Sequence, residues 1–387
     1  MNKKLIYILN HYSQKSEQHF FHVINLLETI AKSGIQIALI IEKSDDIVQL
    51  QSENIKVYAQ KKKSKIGRIV ELFIILFKLQ KEGYQKVFVR ISWVAACISI
   101  LVGFFSKLKT YYWLSGQGSI ENYQSLKWGI QKIKLLITSR FPFWFIKSFV
   151  YRFVTGPESM GEYMSKVMKV PPQKILILYN DIDISRFSRA TDTERINYKT
   201  QFGLPIVKKL ILFVHRLSPV RKTLFYMPFI ISEFFRTKSR NDYHFAFAGS
   251  GPEENELKIA IDEAKVNDCI TLLGAIPNNK IDKLYKSADI FINPTYAEGF
   301  PRVLIEAMAC GLPVVTTNAG GILDILDNRQ KKYMVDKDDR ENFAKKLVAL
   351  SNDMEEQDRL SLENLSQVLK FSTENVSEMY TRSIFNT

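Results

Sequence analysis

Short apolar runs alternate with longer amphipathic segments along the whole chain. Runs of strand length stand at 5–9, 36–41, 87–91, 110–114, 152–155 and 174–178, and again at 209–217, 243–249, 269–274, 289–294 and 312–317. Helix-length segments, such as 20–33, 66–82 and 93–106, lie between them. This rhythm is typical of βαβ units. It predicts two parallel sheets in series, each covered by helices on both faces.

A polar stretch at 186–208 interrupts the rhythm and marks the expected division of the chain. A chain of 387 residues is also longer than one ordinary hydrophobic core requires. We therefore expect a first domain at 1–187 and a second at 188–371, with a C-terminal helix at about 372–387 that packs back on the first. Ligands of parallel sheets bind beyond the carboxyl ends of the strands, so candidate residues are sought in those loops.

The charge of the chain is concentrated in its first half. Residues 1–190 hold 28 Lys and Arg against 13 Asp and Glu, which gives this half a net charge of +15. The net charge of the whole chain is +14, so the remaining residues contribute −1. Such a basic half indicates an anionic partner. The three cysteines have no CxxC spacing, which disfavours a disulfide framework or a zinc site and suits the reducing cytoplasm. The longest apolar run, 91–105, is shorter than the roughly 20 residues of a bilayer span and predicts a buried helix.

Basic and aromatic residues are mixed in the segment 125–153, and a second basic cluster stands at 61–65. Basic side chains attract anionic lipids, and aromatic side chains settle at the interface between lipid and water. This pattern predicts peripheral binding to an anionic membrane, on the inner face of the plasma membrane. The alternative is a buried helix with a solvated basic face. No recognised nucleic-acid motif is present, so we expect no nucleic-acid partner.

The segment 293–315 carries the most chemical information. Pro301 suits the first turn of a helix and Gly311 its end, so the sequence predicts a helix over 301–310. Glu306 is the only charged residue between 303 and 315, and a carboxylate in apolar surroundings needs partners. Either it pairs with Arg302, four residues earlier on the same helix face, or it accepts hydrogen bonds from ligand hydroxyls.

Glu298 lies in the loop before this helix. The backbone N–H groups of Gly299 and Phe300 next to Pro301 are expected to be free at the helix N-terminus, where they would attract a phosphate. Two carboxylates on either side of an anion site suit a ligand with hydroxyls on both sides of a diphosphate. A nucleotide sugar, with its ribose, diphosphate and hexose, has this layout.

The spacing of Glu298 and Glu306, together with the intervening Gly-Phe-Pro and the apolar helix, resembles the E-x7-E motif of retaining GT-B glycosyltransferases. This is the glycosyltransferase family 4-like group, also called glycosyl transferases group 1. Arg216 and Arg221 stand at the positions that hold the donor diphosphate in such enzymes, with His215 and Lys222 each in place of a usual glycine.

Two further segments carry the resemblance. Gly249 and Gly251 match the family's G-x-G-P turn after a strand. In the first half, His22 matches the family's opening helix, but the glycine pair before that helix and a second histidine are missing. Ser115 or Gln117 is the candidate to contact the reacting sugar in place of this histidine.

The resemblance implies a GT-B fold, in which two Rossmann-like parallel-sheet domains face each other across a cleft. It also implies a retaining hexosyltransferase that moves a sugar from a nucleotide-diphosphate sugar to a membrane-associated glycan or lipid-linked acceptor, in surface polysaccharide biosynthesis. Glu298 would bind the donor sugar's hydroxyls, Glu306 the ribose, and Arg216 and Arg221 the diphosphate. No cofactor or metal is expected, since the acidic run 336–339 is interpreted as a surface turn.

Two other functions remain open at the level of the sequence. One is another GT-B activity, a nucleotide-sugar 2-epimerase, which would need acid and base carboxylates in the first domain. The other is a non-catalytic nucleotide-sugar-binding protein, which the altered first-domain loops would suit.

Overall fold

The computed structural model describes residues 3–13, 21–114, 138 and 140–385, with the side chains of residues 21 and 22 left out. These residues form two compact units. The first unit contains the described residues up to Tyr179 together with those from Thr373 onward, and the second spans Asn180–Ser372. The sequence placed the division at 187, but Ile182 N–H donates to Phe371 O at 2.8 Å, which ties the segment after Tyr179 to the second unit.

Every described pair of strands in the first unit is parallel. The strands are β1 (Lys4–Leu9), β2 (Gln36–Ile41), β3 (Ile55–Ala59), β4 (Lys86–Arg90), β5 (Lys109–Trp113), β6 (Arg152–Thr155) and β7 (Ile175–Ile177). Their order is β3-β2-β1-β4-β5-β6-β7. The strand order therefore reverses between β1 and β4, and this reversal is the point where doubly wound sheets bind ligands.

Helices cover both faces of this sheet. Those described before the second unit are α1 (Phe21–Lys32), α2 (Lys65–Lys81), α3 (Trp93–Phe104), α4 (Phe141–Phe149) and α5 (Glu158–Lys166). Because side chains alternate along a strand, β1 sends Leu5, Tyr7 and Leu9 into one apolar cluster and Ile6 and Ile8 into the other. The continuous apolar runs of the sequence thus reflect strands that are buried on both faces.

The second unit has six strands and repeats the order of the first six strands of the first unit. Its strands are β8 (Lys209–Val214), β9 (Tyr243–Ala248), β10 (Ile270–Gly274), β11 (Ile290–Asn293), β12 (Val314–Thr317) and β13 (Met334–Val335). Its helices are α6 (Asp192–Gln201), α7 (Thr223–Phe235), α8 (Glu254–Glu263), α9 (Asn278–Lys286), α10 (Arg302–Ala309), α11 (Ile322–Ile325), α12 (Arg340–Asn352) and α13 (Met354–Gln367). The order is β10-β9-β8-β11-β12-β13 and all described pairs are parallel, so the reversal falls between β8 and β11.

The last helix, α14 (Thr373–Phe385), belongs to the first unit and packs against α1. Its buried side chains Val376, Tyr380 and Ile384 repeat every four residues and form one apolar stripe. The ring of Tyr380 lies 5.5 Å from that of Phe88 on β4. This helix therefore completes the core on one face of the first sheet.

The predicted fold class, two parallel α/β sheets with helices on both faces, is confirmed by these strand orders. The apolar run 91–105 forms α3, as expected of a helix within a domain. Across the described ranges, none of the helices combines the length and the apolar character that a membrane span requires.

Candidate functional site

Two loops meet where the strand order of the second sheet reverses. His215 follows β8 directly, and Glu298 lies in the loop between β11 and α10. His215 Nε2 is 2.7 Å from Glu298 Oε1, and the two side chains are only 6% and 9% exposed. Arg221, in the short turn after β8, also contacts Oε1 and donates to the backbone carbonyl of Ala297. The Glu298 carboxylate is thus buried and held from the neighbouring loop.

The electrostatic surroundings keep Glu298 ionised. Burial by itself would raise the pKa of this carboxyl. The hydrogen bond and charge of His215, the charge of Arg221 and the Gly299 N–H outweigh burial, so the pKa lies below its usual value. The site therefore holds a fixed anion beside two basic side chains at neutral pH.

Three glycines allow the loops around this pair to approach each other. A Cβ atom on Gly249 would lie 1.8 Å from the carbonyl oxygen of His215, and one on Gly251 would lie 1.9 Å from that of Leu217. A Cβ atom on Gly320, whose φ is +56°, would lie 1.8 Å from the carbonyl oxygen of Glu298. No side chain fits at such distances, so these positions require glycine. The predicted residues Gly249 and Gly251 thus support the backbone of the His215 loop.

The start of helix α10 differs from the expectation in two details. Pro301 is the residue that caps the helix, and the helical segment runs from Arg302 to Ala309. The N–H of Gly299 is not free, because it donates to Glu298 Oε2 at 3.2 Å. Phe300 is buried and its ring packs at 5.5 Å against that of Phe371. These contacts fix the loop in which Glu298 lies.

The basic side chains of the loop after β8 differ in their environment. Arg221 is engaged by Glu298, whereas Arg216 is exposed and forms no ion pair with any residue that the structure describes. Lys222 stands where the family resemblance expects glycine, and it adopts a left-handed conformation with φ of +54°. Its Nζ lies 3.4 Å from the centroid of the Tyr296 ring. The expected glycine position is thus occupied by a lysine that bears the strain of a positive φ.

Glu306 lies on α10 and is mostly buried. Its Oε1 is 3.6 Å from Nη2 of Arg302, so the ion pair anticipated for residues four apart is present. Arg302 also donates to the backbone carbonyl of Asp181 at 2.7 Å. Burial and the neighbouring Glu306 carboxylate raise the pKa of Tyr285. A role of Glu306 toward a ribose stays a prediction.

The predicted site residues of the first domain lie largely outside the part of the chain that the structure describes. His22 is part of α1, but its side chain is not described, and Ser115 and Gln117 fall outside the described residues. In contrast, sequence reasoning noted His215 only as a departure from the family pattern and gave it no role. The missed signal was its place directly after a strand at the reversal of the sheet, opposite the Glu298 loop. The ranges that the structure covers hold no group of three or more His, Cys, Asp or Glu side chains placed to bind a metal.

The two strand orders are those of Rossmann-like sheets, and two such sheets in series are the building blocks of the GT-B fold. Similarity to solved structures supports this assignment. The Anabaena protein HepE, crystallised in complex with UDP and glucose, superposes with a TM-score of 0.75 over 100% of both chains at 14% sequence identity. At this identity the similarity concerns the fold alone.

Residues 194–365 match the sequence model of the family described as glycosyl transferases group 1. An uncharacterized glycosyltransferase of Methanocaldococcus jannaschii is 31% identical over 174 residues, which are 45% of this chain and 44% of that protein. The Escherichia coli UDP-Gal:alpha-D-GlcNAc-diphosphoundecaprenol alpha-1,3-galactosyltransferase is 26% identical over 193 residues, which are 50% of this chain and 49% of that protein. The chain therefore spans about half the length of these curated relatives. The family match falls within the second unit and contains His215, Arg216, Arg221, Glu298 and Glu306.

Proposed function

We propose that this chain is a retaining glycosyltransferase that moves a sugar from a nucleotide-diphosphate sugar to a membrane-associated glycan or lipid-linked acceptor, in surface polysaccharide synthesis. The observation that carries the proposal is the buried, ionised Glu298 held by His215 and Arg221 at the reversal of a parallel sheet. This arrangement lies inside the segment that matches the glycosyl transferases group 1 model. The name of the E. coli relative, which specifies a diphosphoundecaprenol-linked acceptor, supports the choice of acceptor class.

In this proposal, different residues of the second unit bind different parts of the nucleotide-sugar donor. The exposed guanidinium of Arg216 binds the diphosphate, and Arg221 adds positive charge beside it while it positions Glu298. Glu298 accepts hydrogen bonds from hydroxyls of the donor sugar, and Glu306 accepts them from the ribose. Charge placed in advance against the leaving diphosphate contributes about 3–4 kcal/mol per donor in comparable oxyanion sites. In this proposal the cationic side chains supply that charge without a metal.

Substitution of Arg216 tests the proposal. We expect Arg216→Gln to lower sugar transfer by about 100-fold or more, because an anion-stabilising donor is lost. The fold should be unaffected, since this side chain is exposed. Arg240→Gln is a matched control, because Arg240 forms an ion pair with Asp268 that is exposed at the surface of the same unit. A thermal-shift screen of UDP-, ADP- and GDP-sugars first identifies the donor.

The products of the assay separate the competing functions. NMR of the product should show the anomeric configuration of the donor. Formation of the C2 epimer of the sugar without any acceptor would indicate a 2-epimerase instead. Transfer by the Arg216 variant at the parental rate would contradict the assignment of the diphosphate site.

The surface of α2 supports the membrane part of the proposal. Ile66, Val70 and Ile74 on this helix are 76%, 52% and 62% exposed, and the basic cluster 61–65 precedes them directly. Large apolar side chains next to lysines suit the surface of an anionic bilayer. Of the predicted segment 125–153, residues 125–137 and 139 lie outside the described residues, and α4 exposes Phe141, Trp144 and Phe149.

Vesicle binding tests this surface separately from the chemistry. The parent protein should co-sediment with vesicles that contain phosphatidylglycerol and much less with pure phosphatidylcholine. The double variant Ile66→Ser/Ile74→Ser should lose most of this binding. Val207→Ser, which removes an exposed apolar residue of the second unit, should leave it unchanged. If the parent does not bind anionic vesicles at moderate salt, the membrane proposal is wrong.

A further inference from the structure

One ring nitrogen of the buried His215 is not bonded within the protein. The residue is 8% exposed, and its Nδ1 atom is buried without a hydrogen-bond partner among the residues that the structure describes. Most buried polar atoms in proteins are hydrogen-bonded, because an unpartnered one costs free energy. His215 directly follows β8, at the carboxyl end of a strand that borders the reversal of the sheet. Ligands of parallel sheets bind at this place, so the free nitrogen is a candidate ligand contact.

The backbone and the ring of His215 are both held in place. Its N–H donates to Ala248 O at 3.0 Å, and its carbonyl oxygen lies where a Cβ atom on Gly249 would approach to 1.8 Å. The imidazole ring lies 6.1 Å from the ring of Phe213, and its Nε2 atom is 2.7 Å from Glu298 Oε1. Turning the ring to give Nδ1 a protein partner would therefore break the bond to Glu298.

The partner of Nε2 determines the chemistry of Nδ1. The Glu298 carboxylate is ionised and can only accept a hydrogen bond, so Nε2 carries the hydrogen. In the neutral imidazole, Nδ1 then has a free lone pair and accepts a hydrogen bond. Arg221 contacts the same carboxylate, so the negative charge already has a cationic partner without a charge on the ring. Nδ1 therefore suits a hydroxyl group, whereas an ionised phosphate oxygen cannot donate to it.

The position of this nitrogen in the sheet matters as much as its lack of a partner. The Nδ1 atom of His244 is also buried and unpartnered within the described ranges. His244, however, is the second residue of β9 and lies level with Leu210 at the start of β8, at the amino-terminal edge of the sheet. At position 215 the family pattern has glycine, which offers no side-chain acceptor at all. The imidazole beside Glu298 is thus an additional acceptor at the edge where a ligand binds.

We propose that Nδ1 of His215 accepts a hydrogen bond from one hydroxyl of the donor sugar and thereby selects donors that carry this hydroxyl. The inference rests on the proposed function and deepens it, because it names the feature of the donor that this chain recognises. Glu298 binds a different hydroxyl through Oε2, since Oε1 is engaged by His215 and Arg221. A donor that lacks the hydroxyl leaves Nδ1 unpaired, and sites built to bond a hydroxyl discriminate strongly against such analogues.

Calorimetric titration of the full chain measures this recognition. The probes are the nucleotide sugar that the thermal-shift screen identifies, the same nucleoside diphosphate without a sugar, and analogues in which each sugar hydroxyl in turn is replaced by fluorine. Fluorine is small and cannot donate a hydrogen bond. We expect the parent to bind the analogue that lacks the hydroxyl read by His215 about tenfold or more weakly than the unmodified donor. This ratio of affinities is called the discrimination.

Two substitutions separate the contact with the sugar from the contact with Glu298. In His215→Gln the side chain extends as far as Nε2 and can still donate to Glu298, but it has no acceptor at the place of Nδ1. In His215→Asn it extends only as far as Nδ1, so an acceptor remains while the bond to Glu298 is lost. We expect His215→Gln to abolish the discrimination and His215→Asn to keep most of it. His244→Gln is the matched control and should keep the parental value, and circular dichroism shows whether each variant is folded.

Three results would overturn the assignment of Nδ1. If the parent binds every fluorinated analogue as tightly as the donor, the site reads no hydroxyl. If His215→Gln retains the parental discrimination, His215 acts only through Glu298. If His215→Gln weakens binding of the sugar-free nucleoside diphosphate as much as that of the donor, the contact is with the diphosphate. Each of these results leaves nucleotide-sugar binding by the parent intact, whereas a parent that binds no nucleotide sugar would contradict the proposed function and this inference together.

Discussion

Replacement of His215 by leucine tests whether the buried pair with Glu298 organises the candidate site. Leucine occupies a similar space but offers no donor, so Glu298 retains only Arg221 and the N–H of Gly299. A hydrogen bond to a charged group contributes about 1.5–3 kcal/mol. The two side chains are 6% and 9% exposed, so water screens little of this interaction. We expect the unfolding free energy of the second unit to fall by about 2 kcal/mol, which lowers its melting temperature by roughly 4–8 °C.

The effect should depend on pH in a definite direction. The folded state lowers the pKa of Glu298 below its ordinary value of 4.5. The pair therefore contributes stability above pH 4.5, and this contribution is lost as the pH falls through the lower folded pKa. In the leucine variant the pKa of Glu298 rises. The difference between parent and variant should be largest near neutral pH and should shrink in acid.

Urea unfolding followed by circular dichroism, at neutral and acidic pH, measures both quantities. A double-mutant cycle with Glu298→Gln should give a coupling above about 1 kcal/mol, as expected for residues in contact. Ser287→Ala is the matched control: its buried hydroxyl donates to the backbone carbonyl of Leu284 at 2.7 Å and involves no titratable group, so its loss should lower the stability equally at both pH values. Zero coupling between residues 215 and 298, or a difference independent of pH, would refute the reasoning.

Four further outcomes are expected. Gly320→Ala should destabilise the second unit by about 1–2 kcal/mol for the positive φ alone and should weaken donor binding, because its Cβ atom would displace the Glu298 carbonyl; calorimetry showing parental affinity would count against this. Glu306→Ala should abolish nucleotide-sugar binding with the fold intact, and undiminished binding would remove the ribose role. Burial lowers the pKa of His244 to about 4, so parental stability should fall by about 3 kcal/mol between pH 6.5 and 4, and His244→Phe should lose this slope in urea titrations. EDTA treatment should leave transfer unchanged, whereas activity that needs added Mg²⁺ or Mn²⁺ would show that the cationic side chains do not suffice.

The strands could be predicted wherever they are buried on both faces. Runs such as 37–41 and 210–214 are continuously apolar, and the structure has β2 and β8 at these positions. β3 was missed because it is an edge strand in which Lys56 interrupts the apolar run and half of the side chains face outward. β13 has only two residues and gives no periodicity at all. Local hydrophobicity therefore identified the central strands and the edge strands β7 and β10, and it failed at the edge strands β3 and β13.

The candidate site was predictable only as far as its geometry is local. The pair of Arg302 and Glu306 follows from helical spacing, and it was one of the two alternatives for Glu306. The contact between His215 and Glu298 joins positions 83 residues apart and depends on how two strands are paired. The engagement of the Gly299 N–H depends on the orientation of the Glu298 side chain, which no sequence pattern specifies.

The position of α14 has a consequence for how the chain acquires its structure during synthesis. Residues 180–372 are contiguous and include a complete sheet, so this part has all its residues once position 372 has left the ribosome. The first unit still lacks Val376, Tyr380 and Ile384 at that moment, and these side chains fill one face of its core. Domains generally fold as units during translation. The first unit is therefore completed after the second, although its synthesis begins earlier. Residues 180–372, which interrupt the first unit in sequence, have already emerged when α14 is made.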